Sequence, residues 1–151
     1  MKIKKAVKLI KESAKEVYSE LGEGWIEAIY QKAMEVALRH KGVMYETQRI
    51  LPITFKGHVI GESIPDLVVW VEEKGKKVAI VIDLKADTSI KEDHDVQVKR
   101  YIQELKKQVH KGEKVHDTGF LINFLKESTS KKLDEGSFED FDGVQILEVD
   151  G

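Results

Sequence analysis

The sequence predicts a mixed α/β fold in which helices cover a central mixed sheet. Two amphipathic helical patterns open the chain, and three strand-like stretches follow them. The third stretch, residues 78–84, is nearly all apolar and rich in β-branched residues, as is typical of a central strand buried on both faces. Another helical pattern and another apolar stretch come next. With 151 residues, the chain has the length expected of a single domain.

Apolar residues at helical spacing predict the two opening helices, over about residues 3–21 and 25–41. Gly22 and Gly24 separate the two patterns, and Gly42 is well placed to end the second. A third helix is predicted by the same spacing over about residues 89–109.

The strand-like stretches cover residues 43–55, 59–71 and 78–84, with turn signals between them. Pro52 and Pro65 interrupt the first two stretches, because proline cannot donate a ladder hydrogen bond. Further strands are predicted over residues 119–124 and 144–149. An acidic C-terminal extension begins at about residue 127. It holds eight acidic and two basic side chains, a net charge of −6. Because the whole chain has a net charge of −2, residues 1–126 carry +4.

Asp83 is the unusual residue of this pattern, because it ends the most buried-looking stretch of the chain. An ionised carboxylate there is unfavourable unless it has a partner or a metal ion. Lys85 lies two residues further on, so both side chains project from the same face of the strand. Taken alone, Asp83 and Lys85 are as consistent with a structural ion pair as with a functional site.

Hairpin register brings a second carboxylate to Asp83. If the turn centres on Lys74-Gly75, paired residue numbers sum to 149 and Asp66 lies opposite Asp83, with Cβ atoms roughly 4.5–5.5 Å apart. Two facing carboxylates repel, so one must be protonated unless a cation lies between them. Mg²⁺ takes oxygen ligands and often uses one or two carboxylates plus substrate phosphate. Lys85 could then neutralise developing charge or position an attacking water.

These residues resemble a known signature. Pro65-Asp66 followed by Asp83-Leu84-Lys85 resembles the PD-(D/E)XK motif of the restriction-endonuclease-like nuclease superfamily. More narrowly, the chain resembles the small GxxExxY proteins of that superfamily, whose motif matches Gly24 to Tyr30. The resemblance continues at Gln48 and through residues 55–57, 94–101 and 121–124, so it covers roughly residues 10–125.

The resemblance implies a restriction-endonuclease-like αβββαβ core and a nuclease that uses Mg²⁺ or Mn²⁺, with DNA favoured over RNA as substrate. Family members often carry Glu at the third-strand position, where this chain has the shorter Asp83. By resemblance, the residues divide into metal ligands, a catalytic lysine and residues that position the lysine or the substrate. The ligands would be Asp66, Asp83, the Leu84 carbonyl and Glu27 from a helix, with Lys85 as the lysine and Gln97 and Tyr101 as its QxxxY neighbours.

Several of these residues also have purely structural explanations. Glu27 lies in a first helical turn, where the helix dipole favours an acid by about 0.3–1 kcal/mol, and Tyr30 shares a face with apolar residues and is expected to pack. Tyr101 could be a core residue with its hydroxyl at the rim. Lys99 and Arg100 could bind a phosphate backbone or simply form the solvated face of a helix.

Other functional classes find less support. There is no cysteine, no pair of histidines with zinc-ligand spacing and no GxxxxGK[ST] loop. His94 is three residues before Gln97 and shares its helical face. No apolar run approaches the ~18 residues of a membrane span, so a cytoplasmic protein without a membrane partner is expected. Cutting both strands of a duplex would suit a homodimer. The alternative function is a nucleic-acid- or protein-binding module that keeps the fold without catalysis.

Overall fold

The computed structural model describes residues 1–91, 93–127, 138–141 and 143–151. Within these residues, a seven-stranded mixed sheet carries helices on both faces, and two further strands form a separate hairpin. The helices are α1 (Ile3–Leu21), α2 (Glu27–His40) and α3 (His94–Lys106). The strands are β1 (Met44–Glu46), β2 (Leu51–Phe55), β3 (His58–Ser63), β4 (Leu67–Glu73), β5 (Lys76–Lys85), β6 (Glu113–Val115), β7 (Thr118–Phe124), β8 (Phe138–Phe141) and β9 (Val144–Asp150).

The main sheet has the order β1-β4-β5-β7-β9-β8, with β6 also paired to β5. Strand β5 is central and runs parallel to β7, from which it is separated in sequence by α3. Ile80 and Ile82 of β5 face α1 and α2, whereas Ala79 and Val81 face α3. All four are fully buried, which confirms the prediction of a strand covered on both faces.

The hairpin of β4 and β5 has the register that its turn residues predict. Its antiparallel pairs run from Leu67–Ile82 to Glu73–Lys76. Lys74 and Gly75 both have positive φ angles, of 53° and 76°, as a tight hairpin turn with a right-handed twist requires. The ladder ends one residue before Asp66 and Asp83, so the two acids meet where β4 begins.

The first two predicted strands are wrong in extent, because each divides into two. Residues 43–55 contain β1 and β2, which are separated around Gln48, a residue in the left-handed region with φ of 55°. Residues 59–71 contain β3 and β4, which are separated at Ile64 and Pro65. Strands β2 and β3 pair only with each other among the described residues, and we call this hairpin the arm (residues 51–63).

The segment after β5 also differs from the prediction. Helix α3 begins at His94 and not near residue 89, and Asp87 in the segment before it is hydrogen-bonded to Asn123 of β7. The Asp87 amide donates to Asn123 Oδ1 at 2.8 Å, and Asn123 Nδ2 donates to the Asp87 carbonyl at 3.2 Å. These two hydrogen bonds fix the path of the chain directly after Lys85.

The predicted acidic extension from about residue 127 lies partly outside the described residues, since 128–137 and 142 are not described. Its described part forms β8 and β9. The Lys11 ammonium in α1 forms ion pairs with Glu139 and Glu148, which joins the described end of the chain to the first helix. No helix of the described chain has the length and apolar character needed to cross a membrane.

Candidate functional site

The two acids meet at the end of the β4–β5 hairpin. Asp66 directly precedes β4, and its Oδ2 accepts a hydrogen bond of 2.6 Å from the Leu84 amide. The Gln31 side chain in α2 donates to the Asp66 carbonyl at 3.1 Å, so the first turns of α2 are held against the start of β4. Asp66 is thereby fixed by both the neighbouring strand and a helix.

Asp83 is a nearly fully buried carboxylate, with only 2% of the residue exposed. Its Oδ2 has no hydrogen-bond partner among the described residues. The Lys85 ammonium lies 3.3 Å from this oxygen, close enough for an ion pair but without hydrogen-bond geometry. Burial raises the pKa of Asp83 to about 8, with further contributions from a hydrogen bond to the Asp66 carboxyl and from its negative charge.

This pair of carboxyl groups fits a divalent cation. A buried carboxylate oxygen that lacks a hydrogen bond and lies beside a second carboxylate is the electrostatic situation that a hard cation relieves. No three acidic or histidine side chains of the described chain are grouped closely enough to hold a metal ion by themselves. The protein would therefore supply a minority of the ligands, as is common at Mg²⁺ sites that also bind substrate phosphate.

Lys85 stands at the end of β5 with three acids around it. Burial alone would lower its pKa, but the negative charges of Asp83, Glu27 and Asp66 outweigh burial and raise it. Its ammonium also donates to Gln97 Oε1 at 3.3 Å. Lys85 is consequently a fixed cation at neutral pH and is poorly suited to accept a proton.

Glu27 lies in the first turn of α2, as predicted, and is half-buried. Burial raises its pKa, and the negative charge of Asp66 adds to that rise while Lys85 opposes it. Glu27 is thus electrostatically coupled to Asp66 and Lys85. Among the described residues, it does not form a group of three metal-binding side chains with Asp66 and Asp83. Tyr30, three residues on, is fully buried and stacks on Phe124 with ring centroids 4.5 Å apart, which confirms the packing role.

Helix α3 brings Tyr101 and Gln97 to the same place. Tyr101 is buried, and burial together with the charges of Asp83, Asp66 and Glu27 raises the pKa of its hydroxyl. Tyr101 therefore presents a protonated hydroxyl near the acids. His94, a turn before Gln97, accepts a hydrogen bond from the Lys91 amide at Nδ1, and so serves the start of the helix.

A groove of about 850 Å³ leads away from Lys85 between α3 and the arm. Ile53 and Ser63 line it on the arm side, and Gln97, Arg100 and Tyr101 line it on the helix side. Lys99 is not among the lining residues and pairs with Asp95 at 3.7 Å. The two basic residues predicted to contact phosphate are therefore placed differently, with only Arg100 in the groove.

The sequence-based reasoning overlooked the arm and two amide side chains, those of Gln31 and Asn123. Asn123 carried a signal, because it is the only asparagine of the chain and interrupts an apolar strand. It is fully buried and also donates to Gln145 Oε1 at 3.1 Å. Nothing in the sequence pointed to the role of Gln31, because a polar residue on a surface helix is ordinary.

Comparison with known families and proteins adds one finding. A sequence model of the PD-(D/E)XK nuclease superfamily matches residues 4–134. A search of curated proteins found no match, and neither did a search of solved structures. The matched range includes α1 from its second residue, helices α2 and α3, the β4–β5 hairpin and strand β7. The narrower resemblance to the GxxExxY proteins stays a prediction. The chain belongs to the PD-(D/E)XK nuclease superfamily.

Proposed function

We propose that this protein is a divalent-metal-dependent nuclease that hydrolyses phosphodiester bonds of nucleic acid, with DNA as the first substrate to test. The observation that carries the proposal is the buried Oδ2 of Asp83, which has no hydrogen-bond partner among the described residues, faces Asp66 and lies 3.3 Å from the Lys85 ammonium. Membership of a nuclease superfamily supports the same assignment.

Asp66 and Asp83 would hold Mg²⁺ or Mn²⁺, with the Leu84 carbonyl as a further oxygen ligand and Glu27 as nearby negative charge. A divalent ion bound there supplies an acidified water and a polarised phosphate. Lys85, which stays charged, stabilises the negative charge that develops on the phosphate oxygens. Gln97 orients the Lys85 ammonium through its 3.3 Å hydrogen bond, and the protonated Tyr101 hydroxyl can donate to the substrate.

The test is cleavage of labelled DNA and RNA oligonucleotides, single-stranded and duplex, in Mg²⁺ and in Mn²⁺. We expect wild-type cleavage that EDTA abolishes. Asp83→Asn and Lys85→Ala should each reduce it by about 10²–10³-fold, the usual loss when an electrostatic catalytic group is removed. Lys77→Ala is the matched control, because Lys77 lies on the same strand eight residues from Lys85 and should leave cleavage unchanged. Cleavage by Lys85→Ala within a few-fold of wild type would contradict the assignment.

The second candidate function is a binding module without catalysis. It is favoured by the lack of a three-ligand metal group among the described side chains and by the chain's net charge near zero. Calorimetric titration with Mn²⁺, with and without oligonucleotide, separates the two candidates. Metal binding that Asp83→Asn removes supports the nuclease. Nucleic acid binding without metal binding supports the module.

A further inference from the structure

The arm carries more exposed apolar surface than its place in the fold explains. Six large apolar side chains on it or directly beside it are between 38% and 66% exposed. Scattered apolar residues on a surface are ordinary, but a contiguous set on one small element marks an interaction site. These residues are Ile50, Ile53, Phe55, Val59, Ile60 and Ile64.

One face of the arm runs from the protein core to solvent. Alternate residues of a strand share a face, so Leu51 and Ile53 lie on one face of β2. The pairing with β3 shifts by one residue between Ile53 and Thr54, before Phe55 at the end of the strand. Leu51 is fully buried in the cluster that includes α3, Ile53 lines the groove, and Phe55 is 61% exposed beyond it. Val96 of α3, 43% exposed, also lines the groove. The apolar part of the groove wall near Lys85 is therefore formed by Ile53 and Val96, and Phe55 lies on the arm outside the residues that line the groove.

The charges of the groove are few and placed along the helix. Arg100 makes no ion pair or hydrogen bond with the described part of the chain, so its guanidinium is free for a ligand. Asp93 and Glu104 lie towards the two ends of α3, and Glu104 is paired with Lys107 at 3.1 Å. A ligand in the groove thus meets the Arg100 guanidinium, which has no partner among the described residues, midway along α3, and the Lys85 ammonium at the site.

This combination is unlike a duplex-binding surface. Proteins that bind duplex DNA through its backbone neutralise several phosphates, often about 6–10. Among the described residues that line the groove, the lysine and arginine side chains are Arg100 and Lys85, and the whole chain carries −2. Unpaired strands are instead bound by stacking of their bases on aromatic side chains, with cations along the backbone, and Phe55 is an exposed aromatic side chain on the arm. The volume of the groove is within the roughly 300–1,000 Å³ of pockets that enclose a drug-sized ligand.

We propose that the groove between α3 and the arm binds an unpaired strand of nucleic acid, with bases against Ile53, Phe55 and Val96 and a phosphate at Arg100. The proposal rests on the nuclease function and makes single-stranded segments the substrate class of that site. The strand leaves the groove at Lys85, where the phosphodiester bond to be cleaved is presented to Asp66 and Asp83.

Binding is measured by fluorescence anisotropy in EDTA, which prevents cleavage, with a labelled oligothymidine of about 12 nucleotides and a duplex of the same length. We expect the wild-type chain to bind the single strand at least ten-fold more tightly than the duplex. Arg100→Ala should weaken binding about five- to ten-fold and lower the slope of log affinity against log salt by about one. Lys99→Ala removes the same charge outside the groove and should change affinity less than two-fold.

A second pair of variants tests the apolar wall. Ile53→Ser should weaken single-strand binding several-fold. Val59→Ser should not, because Val59 is exposed on the arm but is not among the residues that line the groove. Equal binding of duplex and single strand, or equal effects within both pairs of variants, would overturn the proposal. So would sedimentation showing that Ile53→Ser dissolves a dimer while affinity is unchanged, since the arm would then bind a second copy.

The outcomes separate this proposal from the nuclease assignment. Cleavage of duplex and single strand at equal rates would leave the nuclease standing and reject the groove as a single-strand site. Single-strand binding that responds to Arg100 and Ile53, without cleavage in any metal, would support the groove and reject the nuclease.

Discussion

At the scale of single residues, the Asp83 carboxyl governs how the stability of the metal-free protein depends on pH. Its pKa in the folded chain is about 8, above its ordinary value of 3.8, because the carboxyl is buried beside Asp66. The folded chain therefore holds this proton at pH values where the unfolded chain has released it. The stability due to this group is present at low pH and falls as the pH rises from about 4 to 8.

Asp83→Asn should remove that dependence. In EDTA at pH 8, we expect the variant to have a free energy of unfolding greater than that of wild type by on the order of 1–3 kcal/mol, the usual range for an unsatisfied buried group. The gain should shrink towards pH 5, where the wild-type carboxyl is protonated. Urea unfolding of both proteins at several pH values measures it. A difference that stays constant across this range would show that Asp83 has an ordinary pKa.

The residues of the site were accessible to sequence reasoning to different degrees. Asp66 and Asp83 could be paired because Lys74-Gly75 fixes the hairpin register, and register is local information. That Arg100 rather than Lys99 lines the groove could not be predicted, because neighbouring helical residues differ by about 100° in direction and the position of the arm was unknown. That the Oδ2 of Asp83 is buried without a hydrogen bond from the described residues could be seen only in the structure, because burial depends on every element around it.

At the scale of elements, the contact between α3 and β7 sets the position of Gln97 and Tyr101. A Cβ atom added to Gly119 of β7 would lie 2.8 Å from Val98 Cγ1 and 3.1 Å from the Val81 carbonyl oxygen. Glycine is therefore needed for the helix to approach the strand this closely.

Gly119→Ala should push α3 outward and reduce stability by about 1–3 kcal/mol, as overpacking usually does. Cleavage should fall with it, because Gln97 and Tyr101 move away from Lys85. Gly61→Ala on the arm is the control, since its added Cβ would have only an ordinary contact of 3.9 Å with Ile53. Denaturant unfolding and cleavage rates check both variants. Unchanged stability in Gly119→Ala would mean that α3 yields without strain.

Elements were predicted well where a pattern was long and periodic. The first helix matches the prediction, and the central strand agrees to within a few residues. The arm was missed because β2 and β3 continue the strand patterns of their neighbours. Pro65 marked the break before β4, but Pro52 lies inside β2 and not at the break around Gln48. Which strands pair with each other is a long-range property that alternation along the chain does not encode.

At the scale of the whole molecule, metal binding and folding should be linked. A ligand that binds only the folded chain stabilises it, by about 2.7 kcal/mol at a concentration 100 times its Kd. Mn²⁺ should therefore raise the Tm of the wild-type protein and leave that of Asp83→Asn unchanged. Thermal unfolding with Mn²⁺ and with EDTA measures the difference. An equal rise in both proteins would place the ion elsewhere.

The overall architecture was predicted because a superfamily core has a fixed element order, and the chain follows it. The edge of the sheet could not be predicted. Strand β8 lies in a polar region whose sequence favours a loop, and it is held through β9 and the Lys11 ion pairs of α1. Such a strand forms because of its partners rather than its own composition.

The β4–β5 hairpin brings Asp66 and Asp83 together across a short loop, whereas the parallel pairing of β5 with β7 requires the chain to pass through α3 first. Short loops close quickly, so the hairpin can form before the crossover. The repulsion between the two carboxylates would then act early, while the chain is still folding. If the pair is already assembled in the transition state, Mn²⁺ will speed refolding and leave the unfolding rate nearly unchanged. The ion would then act on how fast the protein folds as well as on what it does once folded.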